Sequence, residues 1–291
     1  MAEIHAEKMN IQWFPGHMTK AMRMIEENLK LVDAVCEIVD ARIPRASRNP
    51  DIDKLAAGKP RLVILNRTDL ADPKLTARWK SYFESQGSEV LETDAKTGKG
   101  VNGFVPAVRR LLKDKLQEYE AKGQAGRPLR VMIVGIPNVG KSTFINKVAG
   151  RKAALAGDKP GVTKGKQWIN IDRGLDLLDT PGVLWPKFDS QEVGELLAVT
   201  NAIKADVLDK ETLGANFMLR LRGLYPQAII ERYKFTPDPE ANGFELLEQA
   251  AKKRGFLVSK GEYDIERMAN TLLGEYHDGK LGRLTLEEPD V

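Results

Sequence analysis

The chain has 291 residues, with 45 lysines and arginines against 41 aspartates and glutamates, and a formal net charge of +4. That excess is too small to indicate a nucleic-acid partner by itself. No apolar run approaches the roughly 20 residues that cross a bilayer, and the N-terminal residues lack the order of a secretory signal. The single cysteine, Cys36, excludes an intramolecular disulfide and a multi-cysteine zinc site. We therefore expect a cytoplasmic protein with no membrane partner.

Hydrophobic periodicity predicts alternating helices and strands over the first two thirds of the chain. The predicted helices cover residues 18–29, 73–86 and 101–121, and the predicted strands cover residues 34–39, 61–65, 89–93, 129–134 and 175–178. Alternation of this kind is typical of a mostly parallel sheet with helices on its faces. A polar, glycine-containing loop at residues 123–128 precedes the fourth of these strands.

The most specific motif begins where that fourth strand ends. Residues 135–143 read GIPNVGKST and fit GxxxxGK[ST] between a predicted strand and a helix-compatible segment. Backbone N–H groups of such a turn bind phosphate oxygens, Lys141 adds positive charge near the β and γ phosphates, and Ser142 offers a hydroxyl to Mg²⁺. The predicted phosphate-binding residues are Asn138, Val139, Gly140, Lys141, Ser142, Thr143 and, from the next motif, Gly182.

A second phosphate motif, DTPG, occupies residues 179–182 after an apolar run. Asp179 at the end of a strand suits a water-mediated contact with Mg²⁺, and Gly182 is free to approach the γ-phosphate. Thr163 lies between the two motifs in the polar loop GDKPGVTKGK, where its hydroxyl reaches Mg²⁺ once the triphosphate orders the loop. The predicted magnesium ligands are Ser142, Thr163 and Asp179. A solvated threonine is the alternative interpretation of Thr163.

Two earlier motifs indicate recognition of guanine. Residues 66–69 read NRTD and resemble the NKxD box of GTPases, in which the aspartate, here Asp69, accepts hydrogen bonds from N1 and N2 of the base. Arg67 replaces the lysine of that pattern, although its aliphatic stem can still cover the base. Residues 93–96 read TDAK and resemble the [ST]AK loop, with the Ala95 N–H available to the guanine carbonyl oxygen. The predicted guanine-binding residues are Asn66, Arg67, Asp69, Asp94, Ala95 and Lys96.

The order of these motifs differs from that of most GTPases, because the base motifs precede the phosphate motifs. We therefore predict an α/β fold: a circularly permuted P-loop GTPase domain at residues 1–190, with a mostly parallel sheet and flanking helices. Such a permutation is tolerable because the termini of a domain usually lie close together at its surface. Helical spacing of apolar residues after position 190 predicts a small all-α C-terminal domain at residues 191–291.

The permuted order, together with WFPGHM at 13–18, DARIP at 40–44 and GIPNVGKST, resembles the ribosome biogenesis GTPase A family over nearly the whole chain. The resemblance implies a GTPase, dependent on Mg²⁺, that hydrolyses GTP to GDP and phosphate slowly until a ribosomal particle stimulates it. We expect the protein to be a monomer. Its implied partners are late precursors of the large ribosomal subunit and their ribosomal RNA. The resemblance also implies that His17 replaces the water-orienting glutamine, since Val183 follows DTPG, and that Asn138 helps to hold K⁺.

Alternatives to these implied roles stay open. His17 suits a purely structural position at a helix start, and asparagine, as at Asn138, tolerates unusual backbone angles. The candidate RNA contacts are Arg151, Lys152, Lys159, Lys164, Lys166, Arg220, Arg222, Lys252, Lys253 and Arg254, although charge runs are usually solvated. Residues 195–291 contain 13 basic and 17 acidic side chains. The alternative function is therefore a GTP-dependent switch whose helical domain binds a protein.

Overall fold

The computed structural model describes residues 16–150, 167–172, 174–203, 209–258 and 261–290. Within this part, the chain divides into two compact units: an α/β unit of residues 16–187 with residues 287–290, and a helical unit that starts at Phe188 and ends at Leu286. The observed division differs from the predicted domains at the C terminus, because the last residues belong to the α/β unit. No helix in the described ranges is long and apolar enough to span a membrane.

A six-stranded sheet forms the centre of the α/β unit. Its strands are β1 (Ala34–Asp40), β2 (Arg61–Asn66), β3 (Glu89–Glu92), β4 (Leu129–Gly135), β5 (Gln167–Asp172) and β6 (Leu175–Asp179). The order across the sheet is β3-β2-β1-β4-β6-β5, and every pair is parallel except β5 with β6. The mostly parallel sheet is thus confirmed. Strand β1, near its centre, is buried at every position, as expected where helices cover both faces.

The α/β unit contains six α-helices within the described residues. They are α1 (Gly16–Leu29), α2 (Pro50–Leu55), α3 (Pro73–Ser85), α4 (Phe104–Leu111), α5 (Lys113–Ala121) and α6 (Lys141–Val148). The single long helix predicted for residues 101–121 is wrong: a 3-10 turn at Val101–Gly103 is followed by α4 and α5. The two helices separate at Leu112, which is buried and whose φ of −106° and ψ of 26° lie outside the helical region.

The helical unit is built around helix α8 (Lys210–Leu224), which packs against the other four described helices. Its described helices are α7 (Gln191–Val199), α8 (Lys210–Leu224), α9 (Pro226–Tyr233), α10 (Gly243–Arg254) and α11 (Ile265–His277). Small residues let the backbones of α8, α10 and α11 approach closely. A Cβ at Gly214 would lie 2.6 Å from the Cβ of Ala269, and one at Gly243 would lie 2.3 Å from the carbonyl oxygen of Ala215. The predicted helical character of this region is confirmed.

A charged cluster joins three helices of this unit around Glu275, which is 7% exposed. The Glu275 carboxylate accepts hydrogen bonds from Arg232 at 2.5 Å, from Arg254 at 2.8 Å and from the Tyr233 hydroxyl at 2.8 Å. Burial on its own would raise the pKa of Glu275, but these three donors hold the pKa below its usual value. The carboxylate is therefore ionised in the folded protein near neutral pH.

Replacement of Glu275 by glutamine should lower the free energy of unfolding and make that free energy less dependent on pH in the acidic range. A folded-state pKa below the unfolded value of about 4.3 means that the charge stabilises the fold above that pH. This stabilisation is lost as the pH falls through the lower folded pKa. We expect Glu275→Gln to lower the free energy of unfolding at pH 7 by about 1–3 kcal/mol, because two arginines lose their carboxylate.

Urea unfolding of the Glu275→Gln variant at pH 7 and at pH 3.5 tests this expectation. The matched control is Glu248→Gln, since Glu248 is exposed on α10. The difference between Glu275→Gln and the unaltered protein should shrink at the lower pH. An equal difference at both pH values, or an equal effect of the control, would contradict the expectation.

Candidate nucleotide-binding site

The glycine-rich turn connects the carboxyl end of β4 to the N terminus of α6, near the middle of the sheet. Gly140 has a φ of +96°, a conformation that glycine adopts without strain. A Cβ at this position would also lie 2.4 Å from Nδ2 of Asn66. A helix N terminus at the carboxyl edge of a parallel sheet attracts anions. The turn therefore lies where the predicted phosphate contacts require it.

The two charged residues of the phosphate motifs contact each other. Nζ of Lys141 lies 2.5 Å from Oδ1 of Asp179, and both side chains are buried. Strand β6, which Asp179 ends, is the parallel neighbour of β4, and Asp179 is in register with Ile133. Parallel pairing of these strands thus brings the DTPG motif and the glycine-rich turn to the same edge of the sheet.

The side chains around this edge suit a magnesium ion bound together with phosphates. Ser142 is the second residue of α6 and Asp179 ends β6, so the two residues offer a hydroxyl and a carboxylate, the oxygen ligands that Mg²⁺ prefers. Within the described ranges, no group of three or more His, Cys, Asp or Glu side chains could hold a metal on its own. In nucleotide sites Mg²⁺ usually binds one or two side chains, and substrate phosphates and water complete the coordination.

The DTPG turn packs directly against the glycine-rich turn. A Cβ at Gly182 would lie 3.0 Å from the backbone N and Cα of Pro137. The N–H of Val183 donates to the carbonyl oxygen of Gly135 at 3.1 Å, and the Val183 side chain is fully buried. Val183 therefore contributes to the core, and its apolar side chain offers no group that could orient water.

Asn66 connects the base motifs to the phosphate motif. Its Nδ2 donates to the carbonyl oxygen of Val139 at 2.9 Å, and its Oδ1 accepts from the Thr93 hydroxyl at 3.1 Å and the Ala95 N–H at 3.0 Å. The predicted guanine carbonyl would therefore compete with Asn66 for the Ala95 N–H. Asp69, by contrast, is exposed and accessible to a base.

Asp94 has a structural contact that the sequence did not predict. Its Oδ1 accepts hydrogen bonds from the N–H groups of Lys96 at 2.9 Å and Thr97 at 3.2 Å, and its Oδ2 accepts from the Thr97 hydroxyl. The carboxylate is buried and supports its own loop. The predicted contact of Asp94 with guanine stays a prediction. Lys96 is exposed beside it.

Arg67, the departure from the NKxD pattern, also contacts the phosphate loop. Its Nη2 donates to the carbonyl oxygen of Asn138 at 2.5 Å, and its Nη1 lies 3.7 Å from Oδ2 of Asp40. Asn138 has a φ of +59°. Asparagine tolerates such an angle, which is the alternative reason for its presence in this turn. The K⁺ contact of Asn138 stays a prediction.

Asp40, at the end of β1, belongs to a buried ion pair that sequence reasoning did not assign to the site. Arg42, itself fully buried, donates to the Asp40 carboxylate from Nε at 2.9 Å and from Nη2 at 2.8 Å. Burial tends to raise the pKa of Asp40, but Arg42 and then Arg67 lower it below the ordinary value. An aspartate and an arginine two residues apart after an apolar strand were the available sequence signal.

Several predicted contacts fall outside the described residues, namely Thr163, Arg151, Lys152, Lys159, Lys164 and Lys166. The structure describes the backbone of His17, which is the second residue of α1, but not its side chain.

Three arginines predicted to contact RNA make internal contacts in the helical unit. Arg220 donates to Glu192 and to the Leu286 carbonyl oxygen, Arg222 donates to two carbonyl oxygens, and Arg254 donates to Glu275. Lys252 and Lys253 are exposed at the end of α10. These two lysines are therefore the better RNA candidates in this unit.

The chain is similar in sequence and in fold to known proteins. Residues 130–213 match the family model described as 50S ribosome-binding GTPase. The chain is 46% identical over 282 residues to ribosome biogenesis GTPase A of Priestia megaterium, covering 97% of this chain and 98% of that protein. It is 34% identical to the Thermotoga maritima protein of the same name, covering 96% and 95%. The GNP-bound structure of YlqF from T. maritima has a TM-score of 0.64 at 30% identity, over 93% of this chain and 99% of that one. The chain belongs to the ribosome biogenesis GTPase A family.

Proposed function

We propose that this GTPase binds GTP, hydrolyses it to GDP and phosphate, and acts at a late step in the assembly of the large ribosomal subunit. The observation that carries the nucleotide part is the Asn66 side chain, which joins both base loops to the phosphate loop. The names of the matched relatives support the role in ribosome assembly. We place the protein in the cytoplasm as a monomer.

The residues of the site have distinct roles in this proposal. Main-chain N–H groups of residues 138–143 and the Lys141 ammonium bind the phosphates, while Asp69 accepts hydrogen bonds from guanine. Ser142 and Asp179 hold Mg²⁺, joined by Thr163 in the triphosphate state. A bound Mg²⁺ would supply positive charge beside the β and γ phosphate oxygens. Gly182 approaches the γ-phosphate from the DTPG turn.

Hydrolysis also requires a group that orients the attacking water. Because Val183 is buried and apolar, we assign the water-orienting role to His17, at the start of α1. Turnover should fall with His17→Ala while GTP affinity is kept.

We also propose that Asn138 helps to hold K⁺ beside the phosphates. Turnover should then fall when Na⁺ replaces K⁺. Unchanged turnover in either experiment would contradict the corresponding role.

The experiment for the ribosomal role is co-sedimentation of the protein with mature and precursor ribosomal subunits. We expect binding to large-subunit precursors with a non-hydrolysable GTP analogue and release with GDP, accompanied by faster GTP turnover in the same mixtures. Lys252→Glu together with Lys253→Glu should weaken binding and its salt dependence if these lysines contact RNA phosphates. If the protein binds no ribosomal particle in either nucleotide state, the proposed GTPase activity stands and the proposed ribosomal role is wrong.

One observation favours a protein partner for the helical unit. A shallow cleft between the segment that precedes α10, one side of α10 and Tyr263 is lined by four acidic side chains and one lysine, namely Asp238, Glu240, Glu245, Glu248 and Lys252. Such a surface repels RNA phosphates and attracts a basic protein surface. If neutral variants of these residues reduce particle binding more than the lysine variants do, the protein-partner alternative is favoured.

A further inference from the structure

The loop between β1 and α2, residues 41–49, ends at Asn49, whose side chain has two partners. Asn49 is only 1% exposed. Its Oδ1 accepts a hydrogen bond from the Asp51 N–H at 3.0 Å and so caps α2. Its Nδ2 donates to the carbonyl oxygen of Val183 at 3.1 Å. The second contact is not needed for the cap, and it reaches the residue that directly follows the DTPG turn.

This contact fixes the backbone after DTPG from one side, while the glycine-rich turn fixes it from the other. The Val183 N–H donates to the Gly135 carbonyl oxygen at 3.1 Å, and the Val183 carbonyl oxygen accepts from Asn49. Gly182 meanwhile packs against the Pro137 backbone. A backbone N–H that must point at a γ-phosphate is effective only in a narrow range of orientations. The two hydrogen bonds of Val183 therefore hold the two peptide groups that directly follow Gly182.

The loop that carries Asn49 is itself firmly attached. The Ser47 hydroxyl accepts from the Asp40 N–H at 2.9 Å. The Glu287 carboxylate accepts from the N–H groups of Arg45 at 2.8 Å and Ala46 at 3.1 Å. Because its two ends are bound to β1 and to α2, the loop is a rigid support for the amide of Asn49.

We propose that Asn49 is a positioning residue for GTP, which holds the DTPG turn so that the Gly182 N–H meets the γ-phosphate. The proposal rests on the role assigned above to residues 179–182. It differs from a purely structural role of Asn49, since positioning affects the triphosphate and not the diphosphate. GDP lacks the phosphate that the turn contacts.

The substitution Asn49→Ser separates the two roles. Serine keeps an oxygen that caps α2, but its side chain is one bond shorter and has no group that reaches the Val183 carbonyl oxygen. We expect affinity for a non-hydrolysable GTP analogue to fall about tenfold, as for the loss of one buried hydrogen bond. GDP affinity should change by less than about twofold, and GTP turnover at sub-saturating GTP should fall with the analogue affinity.

Two further variants make the outcome decisive. Asn242→Ala removes a comparable cap from α10 in the helical unit and should leave both affinities unchanged. Gly182→Ala tests the underlying assignment, because its methyl group would meet the Pro137 backbone. Analogue affinity unchanged by Gly182→Ala would show that the assigned role of the turn is wrong. If Gly182→Ala weakens analogue binding but Asn49→Ser leaves it unchanged, or weakens analogue and GDP equally, the positioning role is wrong.

Discussion

The substitution Asp69→Asn is expected to change the base that the protein prefers from guanine to xanthine. The Asp69 carboxylate only accepts hydrogen bonds, which suits the N1 and N2 donors of guanine. An asparagine amide donates instead, and xanthine carries a carbonyl oxygen where guanine has its amine. Two charge-assisted hydrogen bonds are weakened, each contributing about 1.5–3 kcal/mol, so GTP affinity should fall by at least about 100-fold. Affinity for xanthosine triphosphate should rise correspondingly.

Calorimetric titration with GTP, xanthosine triphosphate and ATP measures this change. Asp69 is exposed, so its replacement should cost little stability. Asp72→Asn is a matched control three residues further along, because asparagine caps α3 as well as aspartate does. GTP binding of Asp69→Asn equal to that of the unaltered protein would show that another group reads the base. If Asp69→Asn binds none of the three nucleotides, Asp69 is needed for the structure of the site and not for the choice of base.

The sequence predicted most strands because strands buried on both faces are continuous apolar runs. Strand β1, AVCEIVD, is such a run, and even its charged Glu37 is buried in contact with Arg48. Strand β5, QWINID, was not predicted, because at the antiparallel edge it buries only Ile169 and is no continuous apolar run. Helix α2 was also not predicted, because it has six residues and buries only Ile52. Short elements depend on their neighbours more than on their own pattern.

The location of the site was predictable, while its internal connections were not. The glycine-rich turn and the NRTD, TDAK and DTPG motifs follow strands, so a parallel sheet brings them to one edge. The contacts of Asn66 with Val139 and of Arg67 with Asn138 join residues more than 70 positions apart. No local pattern specifies such pairs. They arise because β2 and β4 lie on either side of β1.

The connectivity of the two units has a consequence for the switch. The chain leaves the α/β unit at Lys187, five positions after Gly182, and returns to it at Glu287. Beyond the Glu287 carboxylate contacts, the Glu287 carbonyl oxygen accepts from Trp79 Nε1 at 3.1 Å, and Pro289 is buried. The helical unit is thus joined by chain to the α/β unit at both of its ends. The first of these connections begins five positions after Gly182.

Removal of the Lys141 ammonium should have the largest effect on hydrolysis. Lys141→Ala takes away a positive charge near the phosphoryl group being transferred, and loss of one such group lowers kcat by about 100- to 1000-fold. The same substitution removes the ammonium 2.5 Å from Asp179, which is 1% exposed. Loss of one partner of a buried ion pair costs about 3–5 kcal/mol of stability. The variant should therefore be both inactive and less stable.

Asp179→Asn in the Lys141→Ala background distinguishes the two effects. The second substitution removes the buried negative charge that the first one uncovers, so the double variant should recover part of the lost stability. Hydrolysis should stay low, because neither the ammonium nor the carboxylate is restored. Thermal unfolding and single-turnover GTP hydrolysis measure the two quantities, with Lys122→Ala as the control, since Lys122 is exposed directly after α5. If hydrolysis recovers together with stability, Lys141 acts through folding and its assignment to the phosphates is wrong.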